Sequence, residues 1–323
     1  MRILDLFCGA GGFACGFLQA NPRNQVVLAI DNDFQALQTY RANITAQVYK
    51  KNIQEVHACE ILKLLDDQTP DIIISSPPCE SFSVANPNRQ RSAYNQLYAD
   101  KIGRLILDTI RIIIDLEPKV FLIENVPQLA STEMKSLILH EFSRSKYRSI
   151  NFNLLNAENL GVPSQRKRVF ISNLELKSSN TTSSVSVNDA FQSLPKPSVE
   201  MINHELIPLS HKIARRISKT PPGGAIVYFK GSHRGTFRNF IRLQANQPSP
   251  TVMGKSRFIH PYDPRLCTVR EHARLMSYSD NFQFYGSIDS QYNQVGESVP
   301  PLMAKVVAQQ VLTDFPKNSK KVF

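Results

Sequence analysis

Paired cysteines and long apolar runs are both missing from this chain of 323 residues. Its five cysteines are an odd number without metal-ligand spacing, which predicts free thiols in a reducing compartment, no disulfide and no bound metal. No run of about 18 apolar residues occurs, and the amino terminus enters the strand-like segment Ile3 to Phe7 without a signal core. We therefore expect a cytoplasmic protein with no membrane partner.

Positive charge, by contrast, is abundant. Lys and Arg number 38 against 27 Asp and Glu, and the formal net charge of +11 favours a polyanionic partner such as nucleic acid. Many of the cations of the second half are concentrated in what we call the basic segment, which is either a binding surface or an ordinary solvated face. The basic segment comprises Arg215, Arg216, Lys219, Lys230, His233, Arg234, Arg238 and Arg242.

Residues 1–175 alternate short apolar strands with amphipathic helical stretches, which predicts an α/β fold with a mostly parallel sheet covered by helices. With 42% hydrophobic residues the chain can fill such a core. The predicted strands are 2–7, 25–30, 71–75, 119–124, 149–155 and 168–173, and the predicted helices are 34–44, 97–116 and 134–145.

A Ser/Thr/Asn-rich connector at 178–186 ends this alternation and indicates a domain boundary. Residues 176–289 hold nine of the 20 prolines and the basic segment, which is typical of a smaller, irregular domain. Residues 301–315 return to helical spacing and are expected to pack on the first domain. The predicted division is 1–175 plus 290–323 for one domain and 176–289 for the other.

Cys79 follows Pro77 and Pro78 at the end of the predicted strand 71–75, which the prolines must end because proline cannot donate to the ladder. Open α/β sheets bind their ligands at the carboxyl ends of strands. The thiol is therefore either a nucleophile presented there or a small buried residue at a turn.

The turn Gly9 to Gly12 follows the first predicted strand and precedes a helix. It is either a nucleotide site, where glycine lets the backbone approach a ligand closely, or merely a tight turn. Asp31 ends the second strand about twenty residues on, where a carboxylate binds ribose hydroxyls, and this spacing favours a nucleoside-containing cofactor.

Glu124 ends another predicted strand in the same crevice and is either a general acid or a helix cap. Arg166 and Arg168 supply cations near this edge that would lower the pKa of the thiol or hold a phosphate. Residues 80–98, the 80–98 loop, are polar and basic without helical patterning. They predict a loop that closes over the ligand, or else an ordinary surface loop.

In this order the pieces resemble the motifs of the DNA (cytosine-5) methyltransferases of bacteria and archaea. Residues 77–83 match the family's Pro-Pro-Cys-x-x-Phe-Ser, and segments 247–252, 268–274 and 296–299 also look like family segments. The resemblance covers nearly the whole chain outside about 176–238. The family's Asp-x-Phe-x-Gly-x-Gly-Gly is matched by Asp5, Phe7, Gly9, Gly11 and Gly12.

The resemblance implies a Rossmann-like, S-adenosylmethionine-dependent methyltransferase sheet with a smaller DNA-recognition domain, and S-adenosylhomocysteine as the product. The methyl group would go to carbon 5 of a cytosine flipped out of a specific duplex DNA sequence, because the reacting atoms are inaccessible in stacked DNA. Cys79 would attack carbon 6, and Glu124 would engage N3 and the exocyclic amine. Arg166 and Arg168 would bind the base's carbonyl oxygen or a nearby phosphate and favour the thiolate.

The resemblance also implies the partners and two further residue sets. The partners are duplex DNA and a cognate restriction endonuclease, and the protein is expected to be a monomer. The cofactor set is Phe7, Gly9, Ala10, Gly11, Gly12, Asp31, Asn32, Asn52, Ile53, Pro78, Leu105, Ser298 and Val299. The nucleic-acid set is Ser81, Ser83, Arg89, Arg91, Arg215, Arg216, Lys230, Arg234 and Arg238.

Two rival functions share these motifs: cytosine-5 methylation of RNA (tRNA), and nucleic-acid binding without catalysis. The long variable region favours DNA, and the presence of both Cys79 and Glu124 favours catalysis. Four positions depart from the family pattern, none of which removes a group that makes or breaks a bond. Glu80 stands for the usual Gln, Asn52 for Asp, Ser164 for Gln and Glu297 for Asn.

Overall fold

The computed structural model describes residues 1–177, 184–232 and 235–319, without the side chains of 316–319. His233, Arg234 and most of the predicted connector lie outside these ranges. The strands are β1 (Arg2–Leu6), β2 (Gln25–Asp31), β3 (Gln47–Lys50), β4 (Ile72–Ser75), β5 (Val120–Asn125), β6 (Asn151–Asn156), β7 (Ser164–Gln165), β8 (Lys167–Ser172), β9 (Ala225–Lys230), β10 (Thr236–Ile241) and β11 (Ser249–Pro250). The helices are α1 (Gly12–Ala20), α2 (Phe34–Asn43), α3 (Ala58–Leu64), α4 (Leu105–Leu116), α5 (Thr132–Glu141), α6 (Val187–Phe191), α7 (His211–Ser218), α8 (Val269–Leu275), α9 (Ile288–Glu297) and α10 (Pro301–Ser319).

Seven strands form one sheet in the order β3-β2-β1-β4-β5-β8-β6. The first five of these run parallel, and β8 is antiparallel to both of its neighbours. The chain builds outward from β1 to β3 and then begins again at β4 on the other side of β1. Such a sheet binds ligands beside this switch point, at the carboxyl ends of β1 and β4. The predicted α/β fold with a mostly parallel sheet is confirmed.

Two differences from the predicted elements have local causes. Strand β3 was not predicted, because it has only four residues and none of them is fully buried, so it carries no apolar run. The predicted helix 97–116 begins only at Leu105, since a π-helical turn, Asn95–Ala99, precedes it. Asp100 separates the two by accepting the backbone N–H groups of Ile102 and Gly103, both at 2.9 Å.

Both faces of the sheet are covered, as period-two alternation along a buried strand requires. Ile72 and Ile74 of β4 belong to one apolar core with residues of α1 and α10, whereas Ile73 belongs to a second core with residues of α4 and α5. Helix α10 packs so closely on α1 that a Cβ on Gly16 would lie 2.4 Å from the Cβ of Ala304. The carboxyl-terminal helix therefore completes the core that supports the glycine turn.

The rest of the chain adds small sheets and a third apolar core. Strands β9 and β10 form an antiparallel hairpin, and β11 pairs with β7. The third core joins residues between Val187 and Val295 to Ala10 in the glycine turn. The predicted boundary at 289/290 falls inside α9, and the division into two domains stays a prediction. Among the described residues, no helix has the length and apolar character needed to cross a membrane.

Candidate functional site

The glycine turn after β1 combines tight packing with open space. A Cβ on Gly11 would lie 2.4 Å from Ile44 Cδ1, and one on Gly12 would lie 2.3 Å from the backbone oxygen of Val299. A Cβ on Gly9, by contrast, would meet nothing within 4 Å. Helix α1 begins at this turn without a side-chain cap. Uncapped N–H groups beside open space can receive a polar ligand group, so the turn fits the carboxylate-bearing end of a nucleoside cofactor.

Asp31, at the end of β2, is joined to the same turn. One of its carboxylate oxygens accepts the backbone N–H of Gly9 at 2.8 Å, and the other accepts that of Asp33 at 2.9 Å. Burial raises the pKa of Asp31, and these backbone hydrogen bonds oppose the rise. The carboxylate is only half-buried and keeps lone pairs for further donors such as ribose hydroxyls. Asn32 follows it on the surface.

Other members of the predicted cofactor set line the two sides of this crevice. Ser298 and Val299 press on Gly12, since a Cβ there would lie 3.2 Å from Ser298 Cβ. Asn52 precedes the buried Ile53, and its side-chain oxygen accepts the N–H of Gln54 at 3.2 Å. Leu105, the first residue of α4, and Pro78 are half-buried, and Ala10 is buried.

Cys79 lies on the loop that follows β4. Asn125 at the end of β5 donates its side-chain N–H to the backbone oxygen of Pro77 at 2.9 Å and so fixes this loop to the neighbouring strand. Burial raises the pKa of the half-buried thiol, whereas the charge of Arg168 lowers it and the charges of Glu80 and Glu124 raise it. Of the charges that act on the thiol, the one that most lowers its pKa is therefore a cation on β8.

Glu124 is 4% exposed, and its carboxylate lies between two polar side chains, although Oε1 accepts no hydrogen bond from the described part of the chain. Ser76 donates its hydroxyl to Oε2 at 2.9 Å, and Arg168 Nε forms an ion pair with Oε1 at 2.8 Å. The 3₁₀ turn that follows β5, Pro127–Ala130, has no side-chain cap. The helix-cap alternative is therefore excluded, and β4, β5 and β8 together build a carboxylate–guanidinium pair beside the thiol.

Arg166 lies in the same part of the site, but its side chain binds backbone oxygens. It is 1% exposed, and its terminal nitrogens donate to the backbone oxygens of Val252 at 2.9 Å, Gly296 at 3.0 Å and Ser298 at 2.8 Å. Burial, together with the charge of Arg168, lowers the pKa of Arg166 to about 9. Arg166 thus binds two distant segments, one at Val252 and one at 296–298, while Arg168 is the arginine that forms the ion pair with Glu124.

The 80–98 loop is held at its root. Ser81 is buried and its hydroxyl donates to Asp100, while the hydroxyl of Ser83 accepts the N–H of Ala85 at 3.3 Å. Both serines of the predicted nucleic-acid set therefore bond within the protein. Ser232 in the β9–β10 connection donates its N–H and its hydroxyl to the backbone oxygen of Val84, each at 3.0 Å, so the loop also touches the hairpin. The loop's two predicted cations differ in exposure: Arg89 is half-buried and Arg91 is exposed.

The basic segment divides into exposed and buried members. Arg215 and Arg216 lie in the last turn of α7, and Lys230 and Arg238 lie on the hairpin; all four residues are exposed. Arg242 is 6% exposed, and its guanidinium donates to the backbone oxygens of Thr220, Ile217 and His260 at 2.7 to 2.8 Å. Its inclusion in a surface patch was wrong, because burial and carbonyl partners make it a structural arginine.

Three residues of the site escaped sequence reasoning: Ser76, Asn125 and Asp100. Each is a polar residue at a strand end or loop root whose partner is distant in the chain. Ser76 directly precedes Pro77 and Asn125 directly follows Glu124, which was a usable signal. The partners of Ser76 and Asn125 become evident only once β4 and β5 are known to be neighbours.

A model of the C-5 cytosine-specific DNA methylase family matches residues 1–313. The chain belongs to this family. This DNA methylase is 40% identical to M.MJ0563P of Methanocaldococcus jannaschii, named as a type II methyltransferase, over 96% of this chain and 99% of that protein. It is 32% identical to the type II methyltransferase M.FnuDI of Fusobacterium nucleatum, over 100% and 98% of the two chains.

The fold of the DNA methylase is also found in solved structures. A prophage-encoded E. coli chain, described as a DNA modification methyltransferase, superposes with a TM-score of 0.77 at 23% identity, over 98% of this chain and 99% of that one. Family membership confirms the predicted activity, methylation of carbon 5 of cytosine in DNA. It also implies S-adenosylmethionine as the methyl donor.

Proposed function

We propose that this DNA methylase works by covalent catalysis, with Cys79 adding to carbon 6 of a cytosine flipped out of duplex DNA. Carbon 5 of cytosine is a poor nucleophile, and a sulfur–carbon bond at carbon 6 turns the ring into an enamine that attacks through carbon 5. The single observation that carries the proposal is the buried pair Glu124–Arg168, at 2.8 Å, whose charges act on the Cys79 thiol.

Glu124 and Arg168 have different roles in the proposed mechanism. Glu124 engages N3 and the exocyclic amine of the base, and Ser76 and Arg168 hold its carboxylate in place. Arg168 lowers the pKa of the thiol and, in this proposal, binds the carbonyl oxygen of the base. When bound, the donor's sulfonium supplies a methyl electrophile to carbon 5. Loss of the carbon-5 proton then restores the carbon 5–carbon 6 double bond and expels the Cys79 thiolate, so that the enzyme is regenerated.

The same proposal assigns the donor to the crevice between β1 and β2. Phe7 lies against the adenine, Gly9 to Gly12 lie near the methionine part, and Asp31 binds the ribose. The open space at Gly9 and the uncapped start of α1 support this placement. Asn52 has one lone pair of its side-chain oxygen left for the adenine amine.

The exposed cations Arg215, Arg216, Lys230 and Arg238 are proposed to position DNA phosphates, while base edges are read by other side chains of the same region. Because the relatives are named type II methyltransferases, we propose that the protein modifies one defined DNA sequence and acts as a monomer alongside a cognate restriction endonuclease. Bisulfite sequencing of DNA from cells that express the chain should give a single methylated sequence.

Duplex DNA containing 5-fluorocytosine tests the mechanism directly. Fluorine leaves no proton to lose at carbon 5, so the adduct should persist and migrate as a covalent protein–DNA complex that depends on S-adenosylmethionine. Cys79→Ala is the matched control and should give no complex. Failure to trap any DNA pool, together with trapping of fluorinated tRNA, would replace DNA by RNA as substrate. Failure with both would favour a binding protein without catalysis.

A further inference from the structure

We propose that Glu297, assisted by Glu80, makes the cofactor site favour the positively charged methyl donor over its uncharged product. This inference rests on the proposed donor site and concerns two positions where the chain departs from its family's pattern. At both, an acidic side chain stands where the family usually has an amide. The fold brings these two departures to the same side of the crevice.

The backbone around Glu297 is held in place. Arg166 donates to the backbone oxygens of Gly296 at 3.0 Å and Ser298 at 2.8 Å, one residue before and one after it. Ser298 and Val299 press on Gly12 in the glycine turn. The position of Glu297 relative to the donor's methionine end is therefore fixed by a buried arginine and by direct packing.

The negative charge of the Glu297 carboxylate lies in an unfavourable electrostatic environment. Glu297 is the last residue of α9, where the helix dipole is negative and an acid is unfavourable. One carboxylate oxygen would lie 2.5 Å from a Cβ on Gly254, so the group lies over the Gly254 backbone. The negative charges of Glu80, Asp33 and Asp31 act on it, and the charge of Lys255 opposes them.

This crowding has a measurable consequence. Burial first, and then the carboxylates of Glu80, Asp33 and Asp31, raise the pKa of Glu297 to about 7. The carboxylate is thus charged above neutral pH and mostly protonated at pH 6. A carboxylate crowded by other carboxylates destabilises the fold, and an uncharged amide at the same position would not. Such unfavourable placements are expected chiefly at functional sites.

The donor and the product differ in charge, and this difference determines how the carboxylate of Glu297 affects their binding. S-adenosylmethionine carries a sulfonium charge that S-adenosylhomocysteine lacks, whereas their amino acid and nucleoside parts are the same. A negative potential beside the sulfur therefore stabilises the donor and leaves the product nearly unaffected. Although its carboxylate is crowded by neighbouring groups, Glu297 keeps a solvent-exposed surface that screens its charge, so we expect a contribution of about fivefold in affinity.

Isothermal titration of the purified full chain with each ligand at pH 8 tests this. Glu297→Gln should weaken the binding of S-adenosylmethionine about fivefold and leave the binding of S-adenosylhomocysteine unchanged. Glu80→Gln should do the same to a smaller extent, and it tests the inference independently if the first variant is unstable. Glu133→Gln, an exposed glutamate on α5, is the matched control and should change neither affinity.

A pH series adds a second readout. The ratio of the two affinities should fall between pH 8 and pH 6 in the wild type more than in Glu297→Gln. The difference between the two proteins is the quantity to compare, since the ligands' own amino groups also titrate near this range. An unchanged ratio in both Gln variants overturns the inference while the donor site stands. Failure of the wild type to bind either ligand overturns the donor site itself.

Discussion

The arginines at the carboxyl edge of the sheet are buried and paired, whereas most of those of the basic segment are exposed to solvent. At the edge, Arg166 is buried with three backbone oxygens as partners, and Arg168 is paired with Glu124. On α7, Arg215 and Arg216 reach the surface. Bond-making chemistry requires groups fixed to a fraction of an ångström, whereas a phosphate contact requires chiefly charge. The comparison therefore predicts sharp losses at the edge and graded losses on the basic surface.

Cys79→Ala should have the largest effect of any single change. It removes the only atom proposed to bond the base, so methyl transfer should fall by at least about 10³-fold. Donor affinity should be unchanged, because the thiol is not part of the donor site. Tritium transfer into duplex DNA measures the first quantity and titration with S-adenosylmethionine the second. An active variant would contradict the assignment of the nucleophile.

Glu124→Gln should reduce kcat by about 10²-fold while the fold remains intact. An amide keeps the shape of the side chain but cannot supply the buried negative charge that pairs with Arg168. Ser76→Ala is a graded companion, since it removes one hydrogen bond to the same carboxylate and should cost much less. Single-turnover rates rank the two, and an equal loss in both would argue against a direct role of Glu124.

Arg166→Lys should act on stability rather than on charge. Lysine cannot reproduce a planar guanidinium that serves three backbone oxygens, and at least one of them would be left without its partner. The expected loss is about 2 kcal/mol in the free energy of unfolding, measured by urea denaturation. Arg238→Lys, on the exposed hairpin, is the control and should change stability very little.

Much of the site could be predicted from the sequence because its motifs follow directly after strands. The carboxyl ends of the predicted strands are sufficient to locate Cys79, Glu124 and Asp31, because parallel strands bring these ends to one edge of the sheet. The role of Arg166 could not be predicted in this way. Its partners are backbone oxygens 86 to 132 residues away, and backbone groups leave no mark on residue identity. Arg242 was misassigned for the same reason.

Neutralising the basic surface should weaken DNA binding in proportion to the charges removed. The double variant Arg215→Ala with Arg216→Ala should bind every DNA sequence less tightly, by about tenfold, and should reduce the slope of log K against log salt by about two. Lys63→Ala, an exposed lysine of α3, is the control with the same change of charge per residue. A loss confined to one sequence would instead identify these arginines as readers of base edges.

The smallest effect concerns Glu80 and the pH dependence of catalysis. The charge of Glu80 raises the pKa of Cys79, so Glu80→Gln should lower that pKa and increase the thiolate fraction at any pH below it. The rising limb of kcat/KM for DNA, which reports the free enzyme, should therefore move to lower pH. At pH 7.5 kcat/KM for DNA should therefore increase. Rates measured from pH 6 to 9 decide the matter, with Glu133→Gln as control, and a movement to higher pH would show that Glu80 aids the thiol by another route.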